Sequence, residues 1–147
     1  MIDHTQPVLR LLQAADEVRS KLSGEFSAIH GLSVNEYLLL MHLDRAALNR
    51  LSRVELAKRM HVSASTVTRM ARPLEKIGLL DKAPDARDAR LSLVVLTDTG
   101  KNRLAEVNET FAKQSRYVFQ DRWESTEVED LSHLLYRLVV NSSANLT

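Results

Sequence analysis

Two clusters of side chains in the middle of the chain have the types and spacing to meet a polyanion. Between Ser63 and Ile77, helical period puts Val67, Met70, Leu74 and Ile77 on one face, with Ala71 beside them. Ser65, Thr66, Thr68, Arg69, Arg72 and Lys76 fall on the other, with no acid before Glu75. Hydroxyls on such a face can exchange hydrogen bonds with base edges, and guanidinium groups can neutralise phosphates. An ordinary solvated helix face is the plain alternative, and the neighbouring segments must decide. The second cluster, Asp85-Ala-Arg-Asp-Ala-Arg90, pairs two arginines with two aspartates in a short polar run.

The elements that hold these clusters are legible from their caps. Ser52 and Glu55 have capping-box spacing and open a short helix with Val54, Leu56, Ala57 and Met60 on its apolar side. Only His61 and Val62 separate that helix from Ser63, the cap of the next. Two helices joined so tightly cross steeply, as in a helix-turn-helix. Gly78 supplies a left-handed C-cap. Leu79–Ala83 and the alternating run Leu91–Leu96 then read as a β-hairpin whose tip is residues 84–90.

Taken in order, Ser65-Thr-Val-Thr-Arg69, Leu74-Glu-Lys-Ile-Gly-Leu79, Asp85-Ala-Arg-Asp-Ala-Arg90 and Leu96-Thr-Asp-Thr-Gly100 resemble the MarR family of bacterial winged helix-turn-helix transcriptional regulators. The detailed match covers the middle third, and the flanking helices fit in pattern only. The resemblance implies a mainly α fold with a small antiparallel β wing. It divides the subunit into a DNA-binding module over 33–97 and dimerisation helices over 1–31 and 99–147. A twofold homodimer would read a pseudo-palindromic operator in double-stranded DNA, with half-sites about one turn apart. Ser63, Ser65, Thr66, Thr68, Arg69 and Arg72 are then the recognition-helix contacts. Arg69 is placed to grip a guanine edge, and Arg72 to meet backbone. In the family's Asp-x-Arg wing pattern the arginine is inserted into a minor groove while the aspartate braces another arginine. The pattern falls on Asp88 and Arg90, with Arg87 beside them. Pro73, inside the recognition helix, departs from the family pattern, because it removes an N–H and crowds the Arg69 carbonyl; a kink, or a different packing of the helix's second half, is expected there.

Charge supports this reading. Residues 50–103 hold 12 Lys or Arg against 6 acids, whereas residues 1–49 and 104–147 are net acidic at −2 and −3. The chain has no cysteine, which excludes disulfides, thiolate metal sites and thiol redox sensing. The five histidines show no paired helical spacing, so neither metal nor cofactor is expected. No run reaches membrane-spanning length and no signal-peptide core is present, so a soluble cytoplasmic protein is expected. Catalytic motifs are missing too: there is no Gly-x-Ser-x-Gly elbow, phosphate-cradling loop or His-Glu-x-x-His.

Outside the middle, a long stripe from Val8 to Ile29 predicts a first helix opened by Pro7, with a bend at Gly24 and an end at Gly31. Ser33–Glu36 opens a second helix to about Leu48. Thr97 caps a helix from about Thr99 to Arg122, and Thr126–Glu129 caps a last one, followed by a frayed tail over 142–147. The resemblance also implies a small aromatic or phenolic effector in the crevice beside the reading module, with His30, Tyr37 and Met41 as candidates; their competing role is in the core or at its boundary. The rival to DNA binding is a winged helix that binds protein instead. Such a module would be expected to lack cations on the outer face and hairpin tip, and this chain keeps both.

Overall fold

The computed structural model describes residues 1–147. Helix α1 spans Thr5–Glu25 and continues without a break through Gly24 into a π turn, Phe26–His30, which Gly31 ends at φ 65°. The helix is therefore not broken at Gly24, and past it comes one wider turn, which buries Phe26 fully. The helix begins before Pro7, at Thr5, whose N–H donates to Asp3 Oδ1 at 2.9 Å. Helix α2, Val34–Asp44, starts with the predicted capping box: Ser33 Oγ accepts from the Glu36 N–H, and Glu36 Oε1 accepts from the Ser33 N–H.

Helix α2 stops four residues short of Leu48. The Asn49 amide donates to the carbonyls of Asp44, at 3.0 Å, and Leu43, at 3.4 Å, satisfying acceptors that a further turn would have used. Leu48 and Asn49 take left-handed φ of 57° and 55° in a 3₁₀ turn, Ala47–Asn49, and the chain leaves as strand β1, Arg50–Ser52. The sequence reading missed this strand. Helices α3, Arg53–Met60, and α4, Ala64–Lys76, follow, joined through His61 at φ 56°. Only half of the first capping box forms. Ser52 accepts from the Glu55 N–H, while the Glu55 carboxylate turns to Arg59 at 3.1 Å. Pro73 does not interrupt α4.

Strands β2, Leu80–Pro84, and β3, Ser92–Leu96, form the hairpin, and β1 pairs with the other edge of β3, all antiparallel. Helix α5, Asp98–Val118, ends earlier than expected. Helix α6 runs over Ser125–Val139, and its cap lies two residues earlier than Thr126: the Glu127 carboxylate accepts from the Glu124 N–H at 2.8 Å. The tail is turned, not frayed, with Ser142 N–H donating to Val139 and Asn145 N–H to Ser142. No helix is long and apolar enough to cross a membrane.

One core joins these pieces. Leu40 and Leu43 from α2, Leu56 from α3, Val67 and Leu74 from α4, and Val107 from α5 are all buried within it. Within the helix-turn-helix, two residues assigned to apolar faces are exposed instead. Val54 lies in the first turn of α3, pointing out, and Ile77 sits past the last turn of α4, where helical phase no longer applies. At the other extreme, α6 has no buried residue, and Leu134 and Leu138 lie open together with Val8 and Leu12 of α1.

One imidazole is buried, His42 of α2, at 5% exposure. Burial, aided by Arg59 and Arg45, lowers its pKa from 6.5. The unfolded chain therefore takes up a proton near pH 6.5 that the folded chain resists, so stability is lost as pH falls below that value. Urea midpoints at pH 7.5 and 5.5 should fall with acidity in the native protein and fall less in His42→Leu; equal slopes would remove His42 as the cause.

Candidate nucleic-acid interface

The candidate surface is built on α4. Ser63, extended at φ −78° and ψ 156°, accepts from the Thr66 N–H at 3.1 Å and thereby caps the helix. Its Oγ also lies 3.0 Å from Ser65 Oγ and 2.9 Å from Thr66 Oγ1. Arg69 Nη2 donates to Thr66 Oγ1 at 3.2 Å. Four side chains, Ser63, Ser65, Thr66 and Arg69, thus form one polar chain along the outer surface of the first two turns. Behind it Val67, Ala71 and Leu74 are buried to 1% exposure or less. That buried ridge fixes which way the polar face points.

Thr68 is half-buried and its hydroxyl donates to the Ala64 carbonyl at 3.2 Å, leaving its lone pairs free to accept. Arg69 and Arg72 are exposed and neither is in an ion pair. The one acid of α4, Glu75, is taken by Lys82 of β2 at 3.6 Å. The face therefore presents unpaired cations without a competing carboxylate.

The hairpin tip consists of residues 85–91, closed by the Asp85 N–H donating to the Leu91 carbonyl at 3.1 Å. Two aspartates shape it. Asp85 Oδ1 accepts from the Arg87 N–H at 2.9 Å, and Asp88 Oδ1 accepts from the Arg90 N–H at 3.0 Å. Asp88 also takes the Arg90 guanidinium in a two-pronged pair, with Nε on Oδ1 and Nη2 on Oδ2, both at 3.1 Å. The Arg90 side chain, then its backbone N–H, hold the Asp88 carboxyl below its ordinary 3.8. Asp88 thus braces Arg90 itself, where the wing pattern anticipated that it would brace a different arginine. Arg87 is exposed and its guanidinium has no partner.

The hairpin is anchored to α5 at its base. Thr97 Oγ1 donates to the carbonyls of Gly78, at 2.6 Å, and Leu79, at 3.0 Å, while accepting from the Gly100 N–H at 3.0 Å. Thr97 N–H also donates to the Leu79 carbonyl, at 3.1 Å. Arg53, at the start of α3, is absent from the sequence-derived set. Its Nε is shielded from solvent without a partner although the residue remains half-exposed.

The three effector candidates separate. Tyr37 is 1% exposed, packed edge-on against Phe26 at 5.1 Å, and its hydroxyl donates to Asn108 Oδ1 at 2.6 Å. Burial pushes that phenol up to about 12. It is a core residue. His30 is half-buried, with Nε2 2.7 Å from Thr110 Oγ1 and its carbonyl accepting from Arg103. Met41 packs half-exposed against the core. No group of three or more His, Asp or Glu side chains is placed to hold a metal ion.

Comparison with known proteins agrees with this geometry. The family model described as "MarR family" matches residues 32–92, which span α2 through the first residue of β3. The HTH-type transcriptional repressor YetL of Bacillus subtilis is 33% identical over 118 residues, covering 78% of this chain and 71% of that protein. The uncharacterized HTH-type transcriptional regulator YdgJ of the same organism is 31% identical over 97 residues; the match covers 66% of this chain but only 56% of YdgJ. Among solved structures, Sco3205, a MarR family transcriptional regulator from Streptomyces coelicolor in complex with DNA, superposes with a TM-score of 0.78 at 25% identity. That superposition covers 95% of this chain and 88% of Sco3205.

Proposed function

The chain belongs to the MarR family of transcriptional regulators, and from that premise we propose that it acts as a cytoplasmic repressor, not an enzyme, bound as a homodimer to a pseudo-palindromic operator. The observation that carries the reading is the outer face of α4. Its hydroxyls and unpaired guanidiniums are held outward by Val67, Ala71 and Leu74, and its single acid is neutralised by Lys82. In this reading α4 lies in the major groove, where Arg69 meets a base edge and Ser65, Thr66 and Thr68 meet bases or phosphates. Arg72 sits on the backbone and the wing lies along the flanking groove. The open apolar residues of α1 and α6 support a second copy as their cover, because monomers rarely leave so much contiguous apolar surface to water. Release by a small aromatic effector completes the proposal, with His30 and Met41 as the accessible candidates and Tyr37 as the wall behind them.

The test is binding to duplexes selected from a random pool, measured at several salt concentrations. If the dimer neutralises about six phosphates, the logarithm of affinity should fall with the logarithm of salt at a slope of roughly −5. Failure to enrich any sequence, or affinity indifferent to salt, would defeat the reading.

A further inference from the structure

Three of the four methionines lie between α2 and α4, and each is half-exposed while packing on the shared core. Met41 stands on α2, Met60 is the last residue of α3, and Met70 lies midway along α4. The fourth, Met1, is exposed at the start of the chain and outside the core. Thioethers are soft, polarizable groups that take up oxygen. With no cysteine in the chain, methionine supplies the only sulfur that an oxidant meets.

Position separates the three. Met60 directly precedes His61, whose left-handed turn joins α3 to α4, so it sits where the crossing of those helices is set. Met70 follows Arg69 on α4, among the buried Val67, Ala71 and Leu74 that hold the polar face outward. Met41 belongs to α2, which carries none of that face. A sulfoxide would set a polar oxygen beside an apolar cluster. Partial exposure admits the oxidant, and the apolar contact makes the product costly.

Resting on the DNA reading above, we infer that Met60 and Met70 form an oxidation site through which a hypohalous acid loosens the helix-turn-helix and releases DNA. With hypochlorous acid the net step moves one oxygen atom. Sulfur gives up two electrons, a sulfur–oxygen bond forms, the O–Cl bond breaks, and chloride and a proton leave. Sulfoxide reductases reverse it, two thiols becoming a disulfide while the oxygen departs as water.

The experiment uses the full chain, a duplex selected from a random pool, and hypochlorous acid added in steps. Peptide mass spectrometry assigns each added oxygen to its methionine. Once Met60 and Met70 are converted, affinity should fall by roughly tenfold, as for a polar group set against apolar neighbours. The urea midpoint should fall with it, and sulfoxide reductases for both epimers should restore both. The double variant Met60→Leu, Met70→Leu conserves volume, so it should bind like native protein before treatment and keep its affinity afterwards. Met41→Leu should stay as sensitive as native protein. The inference is overturned if native protein carrying both sulfoxides binds undiminished, or if the double variant loses affinity equally. It is overturned too if Met41→Leu alone confers resistance, or if Met60 and Met70 resist a dose that converts Met1. If untreated protein enriches no duplex, the DNA reading itself has failed, and the urea midpoint of the oxidised chain still decides whether these sulfoxides loosen the fold.

Discussion

Gly100→Ala should destabilise the protein by about 3 kcal/mol, at the upper end for an overpacked site, and lower the melting temperature by roughly 10 °C. The direction opposes helix propensity, because in an exposed helix interior the same change would stabilise by up to about 1 kcal/mol. Space decides the matter here. Gly100 is buried in the first turn of α5, where a Cβ would overlap the Leu79 carbonyl and come within 2.6 Å of Leu96 Cδ1. The Leu79 oxygen cannot yield, since Thr97 holds it with both its N–H and its hydroxyl. To admit a methyl group, α5 must lift from the hairpin base, and the wing would lose its orientation along with its support. Urea or thermal unfolding of the two proteins decides the point. An alanine variant as stable as the native chain would show that the crossing of α5 over Leu79 is loose.

The second large effect concerns Arg69. Arg69→Ala should relax base choice at one position per half-site, costing about 1–3 kcal/mol against the preferred base while affecting other positions little. The Thr66 hydroxyl holds this guanidinium at 3.2 Å, and Ser63 holds Thr66, so the arginine is partly oriented before DNA arrives. Arg72→Ala is the informative contrast. An exposed, unpaired cation a turn further on should weaken binding to all sequences and reduce the salt slope by about 0.9 per phosphate contact. Selection from randomised duplexes with each variant separates the two roles. Unchanged selectivity in Arg69→Ala would remove it from the bases.

What the sequence made legible was what local rules govern. Ser33, Ser63, Thr97 and Gly78 announced their caps, and alternation announced the β2–β3 hairpin, because each signal acts within a few residues. Strand β1 escaped because three residues carry no period, and it exists only through its pairing with β3. The end of α2 escaped because Asn49 reaches back five and six residues to cap it, a link that composition does not reveal. The last helix offered two acid-bearing starts two residues apart, and Glu124 prevailed over Thr126. At the wing, Asp88 had an arginine on either side. The turn it forms with the Arg90 N–H brings that guanidinium, and not Arg87's, onto its carboxylate. Gly100 did leave a trace, because a glycine early in a helix costs stability and so points to a close approach.

A terminal helix that keeps no side chain to itself has a bearing on turnover. Where α6 gains its shelter from a second copy, mass action ties persistence to abundance: dilution returns Leu134, Leu135 and Leu138 to water. Solitary chains, newly made or left over as synthesis stops, then display a greasy segment of the kind that proteases and chaperones seize.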